Sequence, residues 1–600
     1  MSNVAMAGSH TWAREDTEPD TAQHFQCNYD LRSHLNALSP VSAFPAEVLS
    51  EVFLHAAEFY TTDITSWPWM DEWIQVTHVC RRWRAVALGC SALWSRLTLT
   101  GPCDWMSEFI ARSKTYPLSV SVLLPPPRTS SFDDPPPPLE DSLDLAFPCL
   151  TRIRTLALEV EPESECSSEI MELLDGPAPL LEFLSISEEP RFDSGSAVIG
   201  PLSELLRRPE SSGLRHLELN CPVDWTGVSL PRLTLLSVGN CRDKTGMEAF
   251  LNALAQMPLL EELITQYAFI DYRGEPAASP LVPRAVLSRL RVLRLRETAA
   301  NCTCILESLD TPSLSRLCVN SVERGSALWQ AHLCAAAASK MDILGQIGTL
   351  AVSGNRANFP YDIFLRCYHD VPNTPATDAE EDSTHDWLND RTPFLELNTN
   401  HCIDQEDLAA AAFCQLLSIQ SLRCLVFHKK LPSQTLWRHL IKHTQFVAEL
   451  RVFDIEDARD LPAMLVRRRC GDLQGYEDHQ YALPRLLCLT LDEVSFRGPV
   501  ENNPFLTLVR RHYGMGTKHP PFISTLLDCL IERYENGAEI ETLRLLEPHD
   551  IKENRDVEDL KHVVRYVEWS NSWTPLTWEH DGFDGELPSS CIFSTAIIPW

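Results

Sequence analysis

Apolar residues recur along the chain with two different periods. Between Pro45 and Ala56, the residues Val48, Leu49, Val52, Phe53 and Ala56 fall at i, i+1, i+4, i+5 and i+8. That is one stripe of a 3.6-residue helix, and Glu47, Ser50 and Glu51 take the other side. Pro45 stands at the start, where its fixed φ and missing N–H cost nothing. A second run has Trp73, Val76, Val79, Cys80, Trp83, Val86 and Ala87 on one side, with Arg81, Arg82 and Arg84 interleaved and Gly89 ending it. Two short helices with this many large apolar side chains cannot bury them against each other alone, which marks the pair as a docking module. The alternative is an ordinary helical hairpin whose apolar face is core.

After this module the pattern predicts strands at Leu97–Leu99 and Pro117–Val122, with a helix from Trp105 to Ser113 between them. From Leu150 a leucine, two residues, a leucine, one residue and another aliphatic recur, as in Ile153-x-x-Leu156-x-Leu158 and Leu214-x-x-Leu217-x-Leu219. The middle leucines are Leu156, Leu184, Leu217, Leu236, Leu263, Leu293, Leu317, Leu350, Leu425, Leu450, Leu489 and Leu543, most of them 19 to 39 residues apart. Helical runs lie between several of them, at Met247–Met257, Asp407–Leu417 and Pro432–His443. Strand and helix alternating at this interval predict an α/β fold whose parallel strands stack as a solenoid. Interruptions are expected at the proline-rich residues 125–142, the acidic residues 370–392 and residues 497–522. Residues 1–30 read as a disordered polar segment. Residues 564–600, with Trp569, Trp573, Trp578 and Trp600, read as a C-terminal cap or tail.

Four separated pieces, Phe44-Pro45-Ala46-Glu47-Val48-Leu49, Val52-Phe53, Val79-Cys80-Arg81-Arg82-Trp83 and Leu93-Trp94, stand in the order found in an F-box. The segment resembles the F-box of many fungal, basidiomycete-type proteins, with Phe-Pro where the family usually opens with Leu-Pro and a longer loop from Tyr60 to Trp69. The repeats resemble those of the leucine-rich-repeat class of F-box proteins. The resemblance implies a short all-α F-box domain over 40–97, then an irregular leucine-rich-repeat solenoid with a parallel sheet over 98–563. It also implies the function: the substrate-recognition subunit of a Skp–cullin–F-box ubiquitin ligase. Phe44, Pro45, Val48, Leu49, Val52, Phe53, Val79, Cys80, Trp83 and Trp94 would dock the Skp-type adaptor of the cullin–RING ligase, and the repeats would bind a protein substrate. Such a chain is a non-catalytic adaptor without cofactor or metal. The alternative is a leucine-rich-repeat scaffold that binds a partner and promotes no ubiquitination.

Charge and chemistry narrow the classes further. The balance is 51 − 83 = −32, which repels nucleic-acid phosphates and anionic membrane surfaces. The twenty cysteines form no C-x-x-C; Cys302 and Cys304 are the closest pair and the rest are scattered singly, as small buried hydrophobes are in a reducing compartment. With no apolar signal segment and no membrane-length apolar run, the chain is expected in the cytoplasm and/or nucleus. His439 and His443 lack the acid of a zinc-binding H-E-x-x-H motif, and Tyr513–Lys518 lacks phosphate-loop spacing. No G-x-S-x-G elbow occurs.

Overall fold

The computed structural model describes residues 31, 36, 38–61, 72–99, 103–122, 144–160, 177–188, 199–239, 246–269, 285–322, 327–354, 362–370, 391–400, 414, 422–455, 458–466, 481–494, 522–546 and 554–570. The N-terminal segment 1–30, the loop 125–142, residues 371–390 and 497–521, most of the run 407–417, and Trp573, Trp578 and Trp600 lie outside them. The chain divides into two compact units, the second comprising 422–432 and the described residues from 444 onward.

In the first unit a 3-10 turn, Pro40–Ala43, leads into helix α1 (Ala46–Thr61). Pro45 stands one residue ahead, and its carbonyl accepts the Leu49 N–H at 3.1 Å. The second apolar run is not one helix. It divides into α2 (Val76–Val79) and α3 (Arg81–Gly89), because Cys80 between them is extended, with φ −158° and ψ 167°. Its Sγ accepts the Trp83 N–H at 3.4 Å, so a thiol fills the capping role usually given to a hydroxyl or carboxylate. Helix α4 (Cys103–Ser113) then packs beside strand β1 (Arg96–Thr98).

The sheet of this unit adds β2 (Leu118–Val122), β3 (Ile153–Val160), β4 (Phe183–Glu188), β5 (His216–Asn220), β6 (Leu235–Gly239), β7 (Glu262–Gln266), β9 (Val292–Glu297) and β11 (Arg316–Ser321). These pair in sequence order and all in parallel. Two-residue strands β8 (Ala285–Val286) and β10 (Leu309–Asp310) pair separately. The register sets Leu97, Val120, Leu156, Leu184, Leu217, Leu236, Leu263, Leu293 and Leu317 in one continuous row, none more than 3% exposed. Leu158, Ile186, Leu219, Val238, Leu295 and Val319, two residues further on, form a second inward row, as period-2 alternation requires. Burying a leucine side chain contributes roughly 2 kcal/mol. Crossovers carry helices α5 (Ile199–Arg207), α6 (Met247–Leu254), α7 (Ala299–Ser308) and α8 (Ala327–Ala338).

The expectation of a wholly parallel sheet fails at one place. Strands β12 (Thr349–Gly354), β13 (Asp362–Tyr368) and β14 (Leu395–Asn400) follow β11 in the chain, but β14 is the one that pairs with β11, in parallel. Strand β13 runs antiparallel to both β14 and β12. Residues 355–361 are too few for a parallel crossover, which needs about a dozen residues, so the chain must reverse there. The architecture is α/β with a large, mostly parallel sheet.

In the second unit β15 (Cys424–His428), β16 (Glu449–Phe453), β17 (Cys488–Asp492), β18 (Thr542–Leu546) and β19 (Tyr566–Ser570) pair in order and in parallel. Leu425, Leu450, Leu489, Leu543 and Val567 form its row. Strand β19, with Trp569, lies in the segment expected as a cap, so the strand pattern continues six residues beyond Val564.

Candidate partner-docking surface

Helix α1 is apolar on two sides. Leu49, Phe53 and Ala57 point inward and are no more than 4% exposed, while Val48 and Val52, each one residue earlier, are 43% and 48% exposed. Phe44 at 44% and Val41 at 38% carry the outward apolar line back into the 3-10 turn, at spacings of three and four residues. Val79, at the end of α2, is the most exposed of the set at 58%. The ten residues expected to dock an adaptor therefore divide. Phe44, Pro45, Val48, Val52 and Val79 are on the surface, Cys80 and Trp83 are half-buried, and Leu49, Phe53 and Trp94 are buried.

The buried ones act as backing. Phe53 meets Trp83 with ring centroids 5.1 Å apart. Trp94 meets Trp73 at 5.2 Å and Phe109 at 5.0 Å, both edge-on, the preferred aromatic geometry. Its Nε1 donates to the Ala87 carbonyl at 2.8 Å, and the Arg112 guanidinium lies over its ring at 4.3 Å. With every side so occupied, Trp94 is core, which adjacency to the motif alone does not reveal. Arg82 was not among the expected site residues, yet its guanidinium donates to the carbonyls of both Ser42 and Phe44. It thereby ties the start of α3 to the turn that presents Phe44. Val41 was also missed; its spacing of three from Phe44 was the available signal.

Several titratable groups among the described residues sit in a packed interior. Burial pushes the thiols of Cys334, Cys367 and Cys414 up to about 12, so they are neutral thiols rather than nucleophiles. His443, near His439, is lowered by burial and by the neighbouring charge of Lys442. Among the described residues no cluster of three or more His, Cys, Asp or Glu could hold a metal ion. No helix among them is long and apolar enough to cross a membrane. No protein-family model matches the chain, and no curated protein matches it.

Proposed function

We propose that the chain is the substrate-recognition subunit of a Skp–cullin–F-box ubiquitin ligase, with the helices of 40–97 as an F-box and the stacked strands as an irregular leucine-rich-repeat solenoid that collects a protein substrate. The observation that carries this reading is the outward line Phe44, Val48 and Val52, backed by the buried Leu49 and Phe53 and by the packing of Phe53 on the half-buried Trp83. Apolar side chains held at helical spacing on a solvent face suit a groove on a small helical adaptor. The sequential strand order and continuous leucine rows support the repeat reading. The subunit contributes proximity: it raises the local concentration of substrate lysines near an enzyme carried elsewhere in the complex.

The deciding experiment is capture of a purified Skp-type adaptor by the full chain. Burying one such side chain is worth about 2 kcal/mol, so Val52→Asp is expected to weaken capture at least tenfold, and Glu51→Ala to leave it unchanged. Failure of the folded wild-type chain to capture the adaptor would overturn the reading. With capture established, deleting residues 44–97 should stabilise the substrate in cells, which separates a ligase from a scaffold.

A further inference from the structure

The outward face of the first unit's sheet carries a local excess of positive charge in a chain whose net charge is −32. Opposite the leucine rows, β9 presents Arg294 and Arg296, β11 presents Arg316, Cys318 and Asn320, β14 presents Glu396 and Asn398, and β13 presents Arg366. The register aligns Arg294, Cys318, Glu396 and Arg366 across four neighbouring strands. Arg294 pairs with Glu262 at 3.2 Å and Arg366 with Glu396 at 3.7 Å. Among the described residues no carboxylate pairs with Arg296 or Arg316, which leaves 4 − 2 = +2 among these six side chains. Among the described residues the second unit's face is balanced: Arg451 and Arg544 answer Glu449 and Glu568 at 2.7, 3.9 and 2.6 Å.

The two surplus cations diverge. The Arg296 guanidinium lies over the Tyr267 ring, 4.9 Å from its centroid, on the β7 side. Arg316 precedes Leu317, which pairs with Leu395 of β14, so it stands on the strand one step further from β7. Arg316 stands opposite Val292, four residues before Arg296, so the two are separated by roughly 13 Å along the strands. One phosphate group is too small to engage both, whereas two carboxylates about four residues apart on an extended peptide span that distance. The face also holds an acceptor. Asn398 is 7% exposed and donates its amide to Asn320 at 3.1 Å, while its Oδ1 is buried without a hydrogen-bond partner among the described residues. A polar atom left so is costly unless a ligand completes it. A peptide supplies both complements, carboxylates for the arginines and main-chain N–H groups for the amide oxygen.

We propose that this face binds an extended acidic peptide, with carboxylates on Arg296 and Arg316 and a main-chain N–H on Asn398. The proposal rests on the reading of the sheet as the substrate-collecting surface and names the chemistry of that substrate. It is tested with the full chain by fluorescence anisotropy, using labelled peptides with two glutamates four residues apart, the same peptides with glutamine there, and peptides with one phosphoserine and no glutamate. The glutamate peptides should bind at least tenfold tighter than the glutamine ones and weaken as salt rises. The Arg296→Gln/Arg316→Gln double variant should lose that preference while melting with the wild type, and Arg451→Gln should keep it. Should the double variant melt early, Arg316→Gln alone is read the same way. Equal binding of the glutamine peptides, an undiminished preference in the folded variant, or tighter binding of the phosphoserine peptides would overturn the proposal. Adaptor capture by the same double variant is expected to be unchanged; loss of capture by the wild type would sink the ligase reading while leaving the peptide result standing.

Discussion

Phe53 on α1 and Trp83 on α3 meet with their rings tilted by 56° at 5.1 Å, and this contact ties the helix that presents the exposed valines to the helix that Cys80 caps. The contact separates what holds the module together from what the module offers. Trp83→Ala removes a half-buried ring and should cost about 2 kcal/mol, seen as a lower melting temperature together with weaker adaptor capture. Val48→Asp touches only the outward line and should abolish capture at unchanged melting temperature. Equal loss of stability in both variants would mean that the outward line is structural.

Glu297 is expected to make the stability of the first unit depend on pH. Its carboxylate accepts the Ala268 N–H at 2.7 Å and the Phe269 N–H at 3.2 Å, yet burial outweighs these bonds and raises it to about 7. The folded value lies above the unfolded value of about 4.3, so the folded chain binds the proton more tightly. The stability this group contributes is full below about 4.3 and is lost as pH rises through about 7. Melting temperature should therefore fall across that window, and Glu297→Gln should flatten the slope. An unchanged slope in that variant would assign the effect to other groups.

Arg533 is the buried organiser of the second unit. Its guanidinium donates to the carbonyls of Ala538 at 3.0 Å, Leu465 at 2.8 Å, Ala482 at 3.0 Å and Leu483 at 3.0 Å, and lies 5.2 Å from the Tyr481 ring centroid. Arg533→Met leaves four carbonyls without that donor and should cost about 3 kcal/mol or more in denaturant unfolding. Arg533→Lys should recover little of it, because a compact ammonium cannot reproduce the planar fork. Near-wild-type stability of Arg533→Met would show that water replaces the arginine at no cost.

Gly348 marks where β12 meets β13. Its N–H donates to the Tyr368 carbonyl at 2.9 Å, and the carbonyl of His369 stands where an alanine Cβ would go. Gly348→Ala should force the two strands apart at that end and lower stability by about 1–3 kcal/mol, with hydrogen exchange rising first in β12 and β13. Unchanged exchange there would show that the backbone can give way.

Much of the sheet was legible because its strands repeat one rule: Leu156, Leu184, Leu217 and their successors are spaced as inward positions must be, and the register stacks them. Strands β13 and β14 were not legible. Leu365 and Cys367 alternate inward, but without the leucine three residues earlier that marks the other strands, and the reversal between β12 and β13 comes from a short connection rather than a motif. The break at Cys80 was hidden too, since a lone cysteine carries no helix-stopping signature. Within residues 44–97, periodicity identified which residues share a stripe, but Val48 and Leu49 are neighbours on that stripe with opposite fates. Only the packing of Phe53 on Trp83 and of Trp94 on Phe109 decides which side is covered.

The unbroken row from Leu97 to Leu317 imposes a parity on the chain. Inserting one residue within any strand would turn the rest of its leucines to the solvent and bring its polar side chains into the core; inserting two would preserve facing but slide the register. The connections obey no such arithmetic, and the spacing of 19 residues between Leu217 and Leu236 beside 39 between Leu450 and Leu489 shows how widely they vary. A chain built this way can lengthen or rewrite its connections without disturbing the floor of the sheet, and new binding chemistry can be added there one connection at a time.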